Sequence, residues 1–385
     1  MVQKTILLTL GRLPKALELA RGFSALGYRV IVAEPHAWHV LRLSRHVTKS
    51  IRLPAPNSNP DGYRRALRRA VRQEAVCLVL PVSEEAPHVL EALADESGVT
   101  VFSPTQREVE TLQDKLAFAH NAQTDGLSVP ETALSGTDEA HAIAASGPTV
   151  TKPVHGCSGQ GVAFHDQGAE IRVPADHLVQ RRIDGRHIST FSLVHNGRVC
   201  ATALYEGTLM LGTVAVCFRR VTTAPAIDDW IARFTATRPL SGFLSFDFIV
   251  DADGTPWAIE CNPRTTSGIH FLEPASLAQA VLDKSSDVTF RSHAHFQQFF
   301  PALTEAYSHI LSPRRFVGKL KTVFSARDVI FDWRDLKPFF LMTPASWPIL
   351  RQTIFGGKSL GEAATQDIVW TPRDTNNQWR TRHLD

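Results

Sequence analysis

Few of the features that mark a special environment occur in this chain of 385 residues. Its five cysteines (Cys77, Cys157, Cys200, Cys217 and Cys261) are scattered, odd in number and without a C-x-x-C pair, which argues against a disulfide framework and for a reducing compartment. There are 16 histidines, yet no paired His or Cys spacing that would build a metal cage. No apolar run is long enough to span a bilayer. The run Lys4–Gly11 is short, lacks a small-residue cleavage site and passes into a helical pattern, so it reads as a buried strand and not a signal peptide. A formal charge of +3 is too small to imply a polyanionic partner. The cytoplasm is therefore the expected location, with neither nucleic acid nor membrane as partner.

What is present is the composition of a soluble globular protein, 43% apolar and 21% charged, on a chain too long for one ordinary core. Residues 1–104 alternate β-rich runs (6–10, 28–33, 76–80, 99–102) with helical spacing, the pattern of a doubly wound parallel sheet. Ligands of such sheets sit beyond the carboxyl ends of the strands, where Gly11 and Ser83-Glu84-Glu85 are expected. Arg64, Arg65, Arg68, Arg69 and Arg72 share the second helix; with no interleaved aromatics they read as its solvated back and not as a nucleic-acid patch. The spacing predicts one polar helix over 105–125. From 140 to 285 the pattern becomes α+β with a mainly antiparallel sheet, including tight turns at Asn196-Gly197 and at 251–256. Beyond 285 short helical pieces follow, and Phe324, Ile330, Phe331, Trp333, Phe339, Phe340, Trp347 and Trp370 are expected to be buried.

Two stretches carry chemistry. In the first, a β-run delivers Lys152 and the loop Gly156-Cys157-Ser158-Gly159-Gln160-Gly161 follows at once. Glycine lets backbone amides approach phosphate oxygens, and the lysine adds a point charge. No Gly-Lys-Ser/Thr closes this loop, so it is not a Walker P-loop, and the first unit has no G-x-G-x-x-G. In the second, Asp247 and Glu260 each stand alone among apolar neighbours on two strands of a hairpin. A buried carboxylate needs a cation or strong donors. Asn262 is two residues from Glu260 and shares its face, so the three offer hard oxygens to magnesium. The competing reading pairs the two acids with Arg219, Arg220 or Arg264; the nearby glycine loop favours the metal.

The order Lys115, Lys152 with its glycine loop, Gln180–Ile183, then Asp247 and Glu260-Cys261-Asn262-Pro263-Arg264 resembles the ATP-grasp superfamily. It looks most like the branch of carbamoyl-phosphate synthetase large subunits and biotin carboxylases. The resemblance implies a Rossmann-like pre-ATP-grasp domain over 1–104 and a two-lobed ATP-grasp domain with antiparallel sheets over 105–285, its lid lobe at about 116–185. Residues 286–385 are left as an extension of unassigned role. It further implies that Lys115 and Lys152 contact the ATP phosphates. Gly156, Ser158, Gly159 and Gly161 would close over them, and Gln180, Arg181, Arg182 and Ile183 would grip adenine. Asp247, Glu260 and Asn262 would hold two Mg2+ ions, or Mn2+ in their place, and Arg264 would stabilise the transferred phosphoryl group. The chain departs from the family at Gln180, where a glutamate is common, and around Arg186-His187, where a ribose-binding glutamate is usual; Asp184 is the substitute at hand.

The reaction so implied is transfer of the γ-phosphoryl group to a small carboxylic acid, then capture of the acyl-phosphate by an amine or thiol, with ADP and phosphate released. Arg219, Arg220, Arg264, His270 and the Thr265–Gly268 turn are candidate substrate groups, and a homo-oligomer is left open. The alternatives are a non-catalytic nucleotide-binding regulatory protein and a nicotinamide-dependent oxidoreductase built on the first unit.

Overall fold

The computed structural model describes residues 3–156, 159 and 161–370. Its first layer is a parallel sheet of β1 (Thr5–Thr9), β2 (Arg29–Glu34), β3 (Lys49–Arg52), β4 (Val76–Pro81) and β5 (Thr100–Val101), in the order β3-β2-β1-β4-β5. The strands are covered on both faces, so apolar residues run continuously: Ile6 and Leu8 join one core and Leu7 the other. Helices α1 (Pro14–Ala25), α2 (Pro60–Gln73) and α3 (Ala86–Leu93) each carry proline in the first turn, where a missing N–H costs nothing. On α2, Arg64 and Arg72 pair with Glu91 and Glu96 on or just beyond α3, and Arg68 donates to the Ala92 carbonyl.

One polar helix is expected over 105–125, and the structure has two, α4 (Gln106–Gln113) and α5 (Lys115–Thr124). Asp114 leaves the helical region, with ψ at 108°, and its Oδ1 accepts from the N–H groups of Leu116 and Ala117, both at 2.9 Å. A capping aspartate ends one helix and starts the next, a function that apolar periodicity does not report.

A small antiparallel sheet follows, with α6 (Asp138–Ser146) against it. It holds β6 (Thr132–Leu134), β7 (Thr149–Pro153), β8 (Ala163–His165) and β9 (His177–Arg181) in the order β6-β9-β7-β8. The large sheet runs β14-β13-β10-β11-β12-β15-β16. Its strands are β10 (Arg186–His195), β11 (Arg198–Leu211), β12 (Val214–Val221), β13 (Gly242–Val250), β14 (Pro256–Asn262), β15 (His295–Gln297) and β16 (Arg327–Asp328). All its pairs are antiparallel except β15 with β16. Asn196 and Gly197 both have positive φ (47° and 79°), the requirement of a two-residue turn between twisted strands. The 251–255 turn is longer than the tight one expected; the Asp251 carboxylate orders it by accepting from the Asp253 and Thr255 amides and from Trp257 Nε1. One face of the large sheet is covered by α7 (Pro225–Ala236), and α8 (Pro274–Leu282) packs on α1.

The remaining helices, α9 (Phe299–Tyr307), α10 (Pro313–Ser325), α11 (Lys337–Phe340), α12 (Met342–Ala345), α13 (Trp347–Phe355) and α14 (Leu360–Thr365), belong to the tail. The expectation that its aromatic residues are buried fails at half of them. Ile330 is buried and Phe331, Phe339 and Trp370 are half-buried, but Phe324, Trp333, Phe340 and Trp347 are exposed. These short helices are too few and too small to cover both faces of their own apolar residues. Among the described residues no helix is long and apolar enough to cross a membrane.

Tail and first sheet are joined at Arg12. Its guanidinium, almost fully buried, pairs with Glu34 of β2 and with Asp367. Leu10 takes a φ of 129°, costly for a residue with a side chain, and the turn it makes aims the Gly11 and Arg12 amides at Glu34 Oε2, at 2.8 and 3.1 Å. Arg12→Ala should lower the unfolding free energy by about 3–5 kcal/mol in denaturant titrations at neutral pH, because Glu34 is left buried and charged without its partner.

Candidate active site

The site lies between the small sheet and the large one. Three neighbouring strands of the large sheet set its floor: Glu260 on β14 stands directly opposite Asp247 on β13, which stands opposite Ser189 on β10. Ser189 Oγ donates to Asp247 Oδ1. Asn262, on the same face as Glu260, bridges the acids through Nδ2, at 3.1 Å from Glu260 Oε1 and 3.3 Å from Asp247 Oδ2. Cys261 between them turns into the core beneath, as strand alternation requires.

Like charges facing each other across a β-ladder repel. Here the cost falls on one partner: burial and the Glu260 charge push the Asp247 carboxyl up to about 6. Burial works the same way on Glu260, but Lys115 and Lys152 overcome it and hold that carboxyl down to about 2. Lys115 Nζ is 3.9 Å from Glu260 Oε2. Lys152 reaches across from β7 of the small sheet to the Ile259 carbonyl, at 2.9 Å. That carbonyl is available because the β13–β14 register slips between Asp247 and Phe248, leaving Ile259 as the extra residue of a bulge. Burial pulls the Lys152 ammonium down to about 8, against the attraction of Glu260, so it remains a cation at neutral pH.

Arg219, Arg220 and Arg264 do not neutralise the acids. Arg219 pairs with Glu206, Arg220 donates to the Arg291 carbonyl, and Arg264 pairs with Glu84 at 2.7 Å while Nη2 donates to Asn262 Oδ1 at 3.0 Å. The donors left around the acids are two oxygen-rich carboxylates, an amide, Ser189, and His187, whose Nε2 is 3.7 Å from Asp247 Oδ1. A carboxyl held protonated up to about pH 6 beside a second acid suits a hard divalent cation.

One cavity of about 980 Å³ contains these groups. Gln180, Arg181, Arg182, Ile183 and His187 line it with Gly159, Lys152, Asp247, Glu260, Asn262 and Arg264. Lys115, Gly156 and Gly161 are not among the described lining residues; Lys115 Nζ donates to the Gly156 carbonyl at 2.9 Å, which ties the root of the glycine loop to α5. Gly159 has φ of 66°, and a Cβ there would strike Thr213 at the β11–β12 turn, so the loop reaches the opposite wall only as glycine. Ser158 and Cys157 lie outside the described residues. At the end of β9 the Arg181 and Arg182 amides are already engaged, donating to the Glu131 and Pro148 carbonyls (2.8 and 2.9 Å). The buried Gln180 side chain donates to Thr132 Oγ1.

His270 is buried and bonds Glu18 of α1, which also pairs with Arg291, and it borders the cavity. Arg219 and Arg220 do not reach the cavity among its described lining residues. Sequence reasoning passed over Lys15, whose Nζ donates to the Thr265 carbonyl (2.7 Å) and Ser83 Oγ (3.3 Å) beside Arg264. It also passed over Ser189. Neither belongs to a motif; only the β10–β13 register and the seating of α1 bring them in. In the first unit the Gly11 and Arg12 amides, where a dinucleotide phosphate would sit, are already filled by the Glu34 carboxylate.

Residues 112–268 match the family model described as an ATP-grasp domain. The fold is similar to that of N5-carboxyaminoimidazole synthetase from Staphylococcus aureus in complex with ADP, with a TM-score of 0.62, 14% identity, and 85% of this chain and 91% of that one covered. It is similar to biotin carboxylase from Campylobacter jejuni (TM-score 0.60, 16% identity, 76% and 74% covered). The L-amino acid ligase from Bacillus licheniformis is a further structural neighbour (TM-score 0.58, 17% identity, 74% and 75% covered). No curated protein matches the chain in sequence.

The acid pair sets a test. The folded state keeps the Asp247 proton up to about pH 6, whereas the unfolded chain releases it near its ordinary value of 3.8. The folded state thus holds the extra proton, and stability contributed by Asp247 falls as pH rises through that window. Asp247→Asn should therefore stabilise the metal-free protein above pH 6 by about 1–3 kcal/mol. It should also abolish any further rise in melting temperature on adding millimolar Mg2+, which wild type should show. Thermal melts with and without Mg2+ at pH 5 and 7 read both effects.

Proposed function

We propose, from the match of residues 112–268 to an ATP-grasp domain model, that the chain is an ATP-dependent ligase that activates a carboxylic acid as its acyl-phosphate and passes the acyl group to an amine or thiol. The observation that carries this reading is the Asp247–Glu260–Asn262 set facing Lys152 across the cleft between two sheets.

ATP would lie with its adenine against Gln180–Ile183 and its phosphates toward Lys152, under the loop that holds Gly156, Gly159 and Gly161, with Lys115 tying that loop down. His187 stands beside Asp247, at the start of β10, where the ribose would pass. Asp247, Glu260 and Asn262 would hold Mg2+, which would neutralise part of the phosphate charge. Lys152 adds a fixed cation on the opposite side, anchored by the Ile259 carbonyl so that no reorganisation is needed as charge develops. Arg264 is held by Glu84 and Asn262 at the edge of the acid set, where its planar fork can orient a carboxylate and the phosphoryl group moving onto it.

The chemistry balances without a protein nucleophile. A carboxylate oxygen forms a bond to the γ-phosphorus as the bond to ADP breaks. The acceptor then attacks the acyl carbon, phosphate departs with the bonding pair, and the acceptor's proton passes to solvent. Retention of both lysines and both acids speaks for catalysis over mere nucleotide binding.

Glu260→Gln and Lys152→Ala should each reduce acid-dependent ADP release by at least about a hundredfold while leaving the fold intact by circular dichroism. Measured with a mixture of carboxylic acids and amines, near-normal turnover in both variants would defeat the proposal.

A further inference from the structure

The cavity does not end at Arg264. It continues between the N-terminal end of α1 and the tail helices, where Leu13, Phe300, Ile330, Met342, Ile349 and Leu350 line it. The far end is not wholly apolar, since Gln298, Thr343 and Ser346 also line it, but its charged group is already used. Arg12 has five N–H donors, and all five are spent on Glu34, Asp367 and the Ala364 carbonyl. Thr304 and Thr365 turn their hydroxyls back to the Phe300 and Gly361 carbonyls, at 2.9 and 2.8 Å. The boundary between the polar and apolar ends carries Arg264, paired with Glu84, and Lys15, which is seated on Thr265 and Ser83. At about 980 Å³ the whole space is at the upper end of the range of small-molecule sites, roughly 300–1,000 Å³, large enough for a nucleotide and a second molecule.

We propose that the acid activated here is an apolar monocarboxylic acid, aliphatic or aryl-alkyl, with its carboxylate at Arg264 and Lys15 and its body between α1 and the tail helices. The proposal rests on the ligase reading and names its substrate class. Two cations against the one Glu84 carboxylate leave this position net positive, which favours the acid over the ammonium of the acceptor amine. A second charge on the acid's body would be buried where Arg12 has no donor left to meet it. The tail thus supplies the wall that recognises the acid.

The test uses the full chain with ATP, Mg2+ and hydroxylamine as the amine, so the native acceptor need not be known. ADP release is followed over butanoate, hexanoate, octanoate, phenylpropanoate, succinate and glutamate. The expected result is a kcat/KM that rises about fourfold per methylene from butanoate to octanoate, the factor that ~0.8 kcal/mol per buried CH2 gives, with succinate and glutamate poor. Leu350→Glu should erase the rise. Phe300→Glu, at a position already 39% exposed and so tolerant of charge, should do the same if Leu350→Glu fails to fold. Release with succinate or glutamate alone, or a full rise retained in a folded variant, would overturn the apolar-acid inference and leave the ligase reading standing. No release with any acid, while ATP still binds, would overturn the ligase reading itself.

Discussion

Two carboxylates forced to face each other across a β-ladder are the constraint around which the rest of this structure is arranged. Asp247 and Glu260 would each be costly to bury alone, and opposite one another they demand positive charge from outside their own sheet. Lys152 comes from the small sheet and Lys115 from the start of α5, so the electrostatic need of one sheet orders two other elements against it. The bulge at Ile259 gives that attraction a fixed geometry, because the carbonyl it frees holds the Lys152 ammonium at one point of the cleft. A site held this way stores repulsion that a further positive charge would relieve.

Much of this could be read in the sequence, and the reason is energetic. A lone acid within an apolar strand is expensive, so Asp247 and Glu260 stand out wherever the hairpin is recognised, and the two-residue spacing puts Asn262 on the same face. The parallel sheet was equally legible, since strands buried on both sides are continuous apolar runs. What could not be read was whatever depends on register between distant strands. Ser189 meets Asp247 only through the β10–β13 pairing, and Lys15 reaches the site only because α1 packs against the 267–271 turn. The division of 105–125 at Asp114 was hidden because a capping residue looks, by composition, like any polar helical residue. The tail misled in the other direction: aromatic content suggested burial, but Trp333 and Phe340 have too little protein around them to be covered.

The first sheet illustrates how a familiar architecture can be closed to its familiar ligand. Strand, glycine turn and helix are all there, and the turn does aim its amides at an anion. That anion is the chain's own Glu34. The carboxylate then pairs with Arg12, and Arg12 carries the connection on to Asp367. A nucleotide cradle has become a joint, and the unit's remaining contribution to the site is made by its edges, Lys15 and Glu84.

That joint has a consequence for how the molecule is made. Arg12 and Asp367 are 355 positions apart, which places their meeting among the most non-local contacts a chain of this size can form. Such contacts close late, after loop entropy has been overcome by everything between them. The first sheet can assemble while its far wall is still missing, and Arg12 then waits with three of its five donors unmet. The nucleotide cleft and the apolar end of the cavity are consequently finished at different times, the second only when the last described helices dock. During that interval the apolar faces of Leu13, Val40 and Ile330 are the surfaces a chaperone would find.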